Sequence, residues 1–419
     1  MPNSPRDDGD LAGGHFARRM AMFYASTFVV LGVYLPFLPL WLAAKGLEAG
    51  TIGIVLAMPM GLRLVAIPLA TRAADRRDAL RAVIMAATLA ALVGFATLAF
   101  TTDTLTIAVL YALSATAFML LFVLSDVYAL RGLAAHRRAY GPVRLWGSAA
   151  FIVSNLTAGY LFDIIAARDL IWLIVIALAL CLVAAWGLPP LAPAFPSHGE
   201  RASTPIRDEL CGRGKGGATT GETTPARVLL RDPAFIAVVA TASLIQGSHA
   251  LYYSFSTIDW QASGFGGGTI GVLWGLGVFA EIVLFALSAR LPAAFTPSIL
   301  MLIGGIGALV RWIAMALGPP GALLPLLQCL HGLSFGATHL GTLAFIGRAA
   351  PRGLAATAQG YLAVSMGVAM AASTGLSGLF YGRFGAAAYG AMALIAAAGI
   401  AAALMTHRMQ RGVDNSGAG

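Results

Sequence analysis

Charge is what this sequence has least of. Asp, Glu, Lys and Arg make up 11% of the 419 residues, where soluble domains run to about a quarter. That shortage excludes a water-soluble chain, which at this length would fold as two or three domains with polar faces. Cysteine is sparse as well. Cys181, Cys211 and Cys329 lie far apart, which excludes a disulfide framework and a zinc-ligand spacing. Residues 1–15 lack an apolar signal core, so no cleaved leader is expected. Neither clustered metal ligands nor a nucleophile–base pair can be read, and His331 and His339 have no acidic neighbours. A membrane-embedded enzyme is therefore a remote reading, and no metal or cofactor is expected.

Apolar length is what the sequence has instead, with 58% hydrophobic residues. Runs of about twenty apolar residues suffice to cross about 30 Å of hydrocarbon as a helix. They are read at 19–42, 51–71, 80–101, 104–127, 142–162, 170–188, 234–258, 269–290, 296–318, 321–346, 354–379 and 384–406. The ninth and tenth are split by Gly318-Pro319-Pro320-Gly321, since prolines and glycines punctuate helices. Trp41, Trp172, Trp186 and Trp260 stand near span ends, where interfacial belts form.

Basic residues orient these spans. With a cytoplasmic N-terminus, only Lys45, Arg168 and Arg383 of the 27 Lys and Arg fall in outer loops. Arg63, Arg144 and Arg311 fall inside spans, and all the others fall in inner segments. This is the positive-inside bias of a multi-pass protein. The net charge of +9 thus reports topology and needs no nucleic-acid partner. The expected organisation is a cytoplasmic tail (1–18), a six-helix half (19–188), a cytoplasmic linker (189–233), a second six-helix half (234–406) and a cytoplasmic tail (407–419). The linker is rich in Pro, Gly, Ser and Thr and carries Arg201, Arg207, Arg213 and Lys215. Its Gly212-Arg213-Gly214-Lys215-Gly216 lacks the spacing, the following Ser/Thr and the preceding strand of a phosphate loop. A short repeat links the halves. Thr51-Ile52-Gly53 precedes Arg63 and Arg72, and Thr269-Ile270-Gly271 precedes Glu281 and Arg290 at the same offsets. Six spans plus six around a basic loop is the pattern of transporters built from pseudo-symmetric halves.

Specific stretches carry a resemblance. Tyr140-Gly141-Pro142-Val143-Arg144-Leu145-Trp146-Gly147-Ser148 resembles the entry to the fifth span in the phenylpropionate-transporter branch of the major facilitator superfamily. Leu35-Pro36-Phe37-Leu38-Pro39-Leu40-Trp41-Leu42, Ser248-His249-Ala250 with Tyr252-Tyr253 and Trp260, and His331-Gly332-Leu333-Ser334-Phe335-Gly336 with His339 resemble its first, seventh and tenth spans. The resemblance covers essentially the whole chain. It implies an all-α membrane protein of the major facilitator fold, with twelve transmembrane helices. The superfamily's loop motif is partly kept: Asp75 and Arg76 match its acidic–basic pair, but Thr71 and Asp78 replace its glycines. The antiporter glycine-proline signature is absent from 147–163, which favours symport or uniport.

Ionisable residues inside spans are expensive and mark function. Helix rise places Arg311 and His331 each roughly 22 Å from the inner edge and Glu281 roughly 13 Å. We expect a Glu281–Arg311–His331 cluster, with a static Glu281–Arg311 ion pair as the alternative. Lactose-permease-type sugar symporters, related to the resembled branch, carry Glu, Arg and His in the same spans. That resemblance implies proton coupling at Glu281, Arg311 and His331. Those symporters have a second acid one turn past the histidine. Ser334 stands there in this chain, which leaves Glu281 as the best remaining proton carrier.

By the same resemblance Asp126 and Arg144 bind substrate; the alternative is an interfacial pair near the cytoplasm. Arg144 can also meet Glu281, although helix rise separates them by about 10 Å. Arg63 is read as an interhelical hydrogen-bonding residue or left unassigned. Gln246, His249 and Tyr253 share one helical face, and His331, Ser334, Phe335, Thr338 and Thr342 form a second polar stripe with His339 on its edge. Aromatics among polar groups suit a solute with an apolar body and a polar head. One positive charge is left over among Arg63, Arg144, Arg311, Glu281 and Asp126, which favours an anion.

The expectation is a monomeric symporter of the bacterial-type inner membrane. Its partners are a small organic solute, such as an aromatic carboxylate, and protons. The alternatives are a sugar, nucleoside or drug carrier of the same fold and a non-transporting receptor.

Overall fold

Helices carry nearly every described residue of the computed structural model, which covers 5–76, 79–191, 226–292, 294–351 and 354–416. The side chains of 5–12, 75–76, 226 and 410–416 are outside the description. Most of the linker, with Cys211, Arg201, Arg207, Arg213 and Lys215, lies outside the described residues, as do the side chains of Asp75 and Arg76. The first six crossings are α1 (Pro5–Ala44), α2 (Ala49–Arg76), α3 (Leu80–Ala99), α4 (Thr104–Ala135), α5 (Tyr140–Phe162) and α6 (Leu170–Trp186). The seventh is broken into α7 (Pro233–Gly247) and α8 (Ala250–Ala262). The eighth and ninth are α9 (Gly267–Leu287) and α10 (Pro297–Ala316). The tenth runs through α11 (Leu324–Cys329), a π-helical segment (Gly332–Ala337) and α12 (Thr338–Ala349). The chain then forms α13 (Ala355–Phe384) and α14 (Tyr389–Ser416).

Among the described residues, eleven helical stretches are long and apolar enough to cross a membrane, and the last, Ala355–Met409, holds two crossings, α13 and α14. Gly385, at φ 55, reverses the chain between α13 and α14 in a backbone region that favours glycine. The returning α14 runs antiparallel to α10. Tyr389 stacks on Trp312 near the end of α10, while His407 Nδ1 lies 2.9 Å from Ser298 Oγ at its start. Two ends of the bundle result. One carries the start of α1 and the end of α14 (the terminal end), and the other carries Lys45 and Gly385 (the distal end).

Helix starts follow local chemistry. Asp103, outside the spans, accepts from Thr106 N and Thr106 Oγ1, both at 2.8 Å, and caps α4. These bonds hold the Asp103 carboxyl below the usual carboxylate range. Asp232 caps α7 through Ala234 N at 2.9 Å, with Pro233 at the first helical position.

Lipid solvates apolar side chains as well as a core does, so helices associate through close packing of small residues. Side chains such as Val65, Val153 and Leu394 remain exposed for lipid. The two halves meet along α2 with α13 and α5 with α9. Both seams are tightest at the distal end. A Cβ added to Gly53 would lie 2.8 Å from Gly378 Cα, and one added to Gly159 would lie 2.4 Å from the Gly267 carbonyl oxygen. Asp163, just past α5, accepts from Gly267 N at 2.6 Å and Gly268 N at 3.2 Å, which ties α9 to the other half. Among the described residues, no comparable seam joins α4 to the second half.

Candidate functional site

The break in the seventh crossing and the π-helical segment in the tenth face each other. Interrupted helices at membrane depth accompany binding sites, because they free backbone and redirect side chains. Here they bring together His249 and Ser334, with His249 Nε2 3.0 Å from Ser334 Oγ. His249 Nδ1 is 2.9 Å from the Ile245 carbonyl, which can only accept. Nδ1 therefore carries the proton, and Ser334 donates to Nε2.

Beside this pair runs a second chain of polar contacts. Arg311 Nη1 donates to His331 Nδ1 at 2.8 Å. Because arginine has no acceptor, His331 keeps its proton on Nε2 and donates it to Glu281 Oε1 at 2.9 Å. Arg311 Nη2 donates to Gln328 Oε1 at 2.5 Å. The guanidinium lies over the rings of Tyr252, at 4.2 Å, and Trp312, at 4.7 Å. Arg311 is 0% exposed, whereas the Glu281 side chain retains 16%. A ladder of rings continues the wall, from Tyr253 through His249 and His331 to Phe335 and His339.

In the first half, Asp126 Oδ1 accepts from Tyr24 Oη at 2.6 Å and Tyr140 Oη at 2.8 Å. Arg144 takes no carboxylate among the described residues. Its guanidinium lies 4.1 Å over Phe28 and 5.5 Å over Tyr24, and Phe28 meets Phe122 edge to face. A charged fork on an aromatic shelf, with donors unspent on the described residues, is suited to a carboxylate attached to a ring.

The MFS_1 like family model matches residues 17–390. The chain belongs to this family of major facilitator transporters. It is 30% identical over 380 residues to a probable 3-phenylpropionic acid transporter of Escherichia coli (strain K12), covering 90% of this chain and 95% of that protein. It is 28% identical over 365 residues to a maltose permease of Geobacillus stearothermophilus, covering 83% of each. Its fold is similar to that of the nucleoside transporter NupG, with a TM-score of 0.73 at 17% identity over 94% of this chain and 98% of that one. A D-xylose-proton symporter matches with a TM-score of 0.67 at 13% identity over 94% and 97%. The protein is thus a secondary transporter of the major facilitator fold and a multi-pass membrane protein.

Within this facilitator, the structure brings Glu281, Arg311 and His331 together, but in a different order from a direct ion pair. His331 stands between the two charges. No ion pair joins Asp126 to Arg144, because two tyrosine hydroxyls occupy the carboxylate and aromatic rings hold the guanidinium. Arg144 does not meet Glu281 either. Gln246 donates to the Phe335 carbonyl at 3.3 Å, and Tyr253 packs on His249. Thr338 stays apart from the cluster. Its hydroxyl donates to Ser334 O, and it packs where a Cβ on Gly304 of α10 would lie. His339 stacks on Phe335. Arg63 lies against Gly367 of α13, at the seam between the halves.

Tyr24, Phe28, Tyr140, Tyr252 and Gln328 are site residues that sequence reasoning missed. Tyr24 and Phe28 stand one turn apart on α1, and Gln328 stands one turn before His331, so helical periodicity held a signal for each. A groove of about 570 Å³ between α1, α5 and α6 contains none of this chemistry. It is lined by Val29, Trp146, Val153, Ile176 and Leu180, most of them exposed on the lipid face.

Proposed function

We propose that this transporter takes up a small aromatic carboxylate together with protons, by alternating access about a site between its halves. The observation that carries the reading is the Arg144 guanidinium resting on Phe28 and Tyr24 with no carboxylate partner among the described residues. A phenylpropionate-like solute supplies both a carboxylate for the fork and a ring for the aromatic walls. The relative described as a probable 3-phenylpropionic acid transporter supports the same class. The Glu281–His331–Arg311 cluster is the proposed coupling centre, with Gln246, His249 and Tyr253 beside it as substrate contacts. By the positive-inside bias the terminal end faces the cytoplasm. On that orientation the tight distal seams support an inward-facing arrangement.

One observation favours a second reading. Asp126, flanked by the Tyr24 and Tyr140 hydroxyls, is also a group that accepts hydrogen bonds from a sugar or nucleoside. Uptake into proteoliposomes across a panel of aromatic acids, sugars and nucleosides, with and without a pH gradient, separates the two. The expected result is accumulation of aromatic carboxylates only, and only with the gradient. Equal flux in both conditions would refute symport.

Arg144→Lys is expected to raise KM for the carboxylate roughly tenfold, about 1.4 kcal/mol, because an ammonium keeps the charge but loses the planar two-point fork. An unchanged KM would remove Arg144 from the substrate site.

A further inference from the structure

Arg311 is a buried cation held away from its nearest countercharge. Its Nη1 goes to neutral His331 and its Nη2 to neutral Gln328, and no carboxylate oxygen lies within ion-pair distance of it among the described residues. A guanidinium free to choose would move to the Glu281 carboxylate, since a buried charge is costly unless paired. Gln328 opposes that move. It is 0% exposed, its Oε1 is 2.5 Å from Arg311 Nη2, and its Nε2 has no partner among the described residues, where its one polar contact is with Arg311. Standing one helical turn before His331, it anchors the far side of the guanidinium while His331 holds the near side.

We infer that Gln328 is a positioning residue of the coupling centre, holding Arg311 off Glu281 so that the carboxyl remains free to take and release a proton. The inference rests on the proton-coupling reading above. The groups around Glu281 are few. His331 touches it, and His339, Arg311, Tyr252 and Tyr253 lie within electrostatic reach from the tenth, ninth and seventh crossings. On α5, packed on another face of α9, Arg144 is held by Phe28 and Tyr24, and Asp163, just past its end, is held by the start of α9. Arg311 is the one cation among the described groups within reach of Glu281, and it is held only by neutral partners, His331 on the near side and Gln328 on the far side.

Two substitutions pull the system in opposite directions. Gln328→Met keeps the volume but removes the anchor, which lets Arg311 approach Glu281. The alkaline limb of proton-driven uptake should move to lower pH by roughly one unit, as an opposite charge within a few ångström favours the ionised carboxyl. Gln328→Glu places a carboxylate on Nη2 and offsets the guanidinium. The same limb should move to higher pH by roughly one unit. The experiment measures accumulation against pH in proteoliposomes for the wild type and both variants. Gradient-free exchange serves as the check that each variant is folded. Opposite shifts support the inference. Shifts in one direction, or none, overturn it, and the near-isosteric Gln328→Glu decides alone if the Met variant does not fold. A wild type with no gradient dependence overturns the proton-coupling reading itself, and the inference with it.

Discussion

Glu281→Gln is expected to abolish proton-driven accumulation and leave exchange running. Glutamine keeps the size of the side chain and an oxygen to accept from His331 Nε2, the contact now made at 2.9 Å. It cannot carry a proton. In the wild type, a pH difference of one unit supplies about 1.4 kcal/mol, enough for roughly tenfold accumulation at one proton per solute. The variant should fall to the level of protein-free vesicles, a baseline that matters because weak acids cross bilayers unaided. Counterflow of labelled against unlabelled substrate needs no net proton movement and should persist within a few-fold of wild type. Accumulation that survives in the variant would show that the proton travels elsewhere. Loss of both activities would instead make Glu281 part of the substrate site.

The second large effect is at the distal seam. A Cβ on Gly159 would lie 2.4 Å from the Gly267 carbonyl oxygen, and one on Gly267 would lie 2.2 Å from the Gly159 carbonyl oxygen. These are backbone atoms, so a side chain there can be accommodated only by parting α5 from α9. Gly159→Leu should therefore prevent distal closure. Net uptake is expected to drop by roughly a hundredfold, since overpacking costs of 1–3 kcal/mol act on the closed state alone. Spin labels on Arg168 and Pro320, at the distal ends of the two halves, should report a distance several ångström longer than in the wild type. Asp163→Ala removes the two hydrogen bonds to α9 without steric conflict and should give a smaller shift in the same direction. Wild-type uptake by Gly159→Leu would mean that the seam is not needed for the cycle.

Much of the fold was legible in the residues. The apolar runs at 51–71, 104–127 and 142–162 fall within α2, α4 and α5, because twenty apolar residues in sequence are a sufficient local cause of a membrane helix. The helix interruptions were not legible. Gly247 ends α7, but one glycine inside an apolar run does not by itself announce a break, and the π-helical turn after His331 packs against α9 and α10. Depth counting gave the level of each residue and not its contacts. It set Glu281 roughly 9 Å from His331 along the membrane normal, yet their side chains meet. Rise per residue locates Cα atoms only, and two long side chains span the remaining gap.

The candidate site divides in the same way. That Glu281, Arg311 and His331 belong to neighbouring spans followed from composition and resemblance, since a charge inside a span must find a polar partner. Which partner each one takes was decided by the tertiary structure. Helix rotation puts neutral His331 between the two charges, Gln328 behind the guanidinium and tyrosine hydroxyls on Asp126. Hydrophobic length and the bias of basic residues are properties of a segment or a loop, and the sequence alone determined them. Hydrogen-bond partnership depends on the rotation and separation of helices far apart in the chain. Small-residue contacts such as Gly159 with Gly267 set that geometry, and only the folded molecule specifies it.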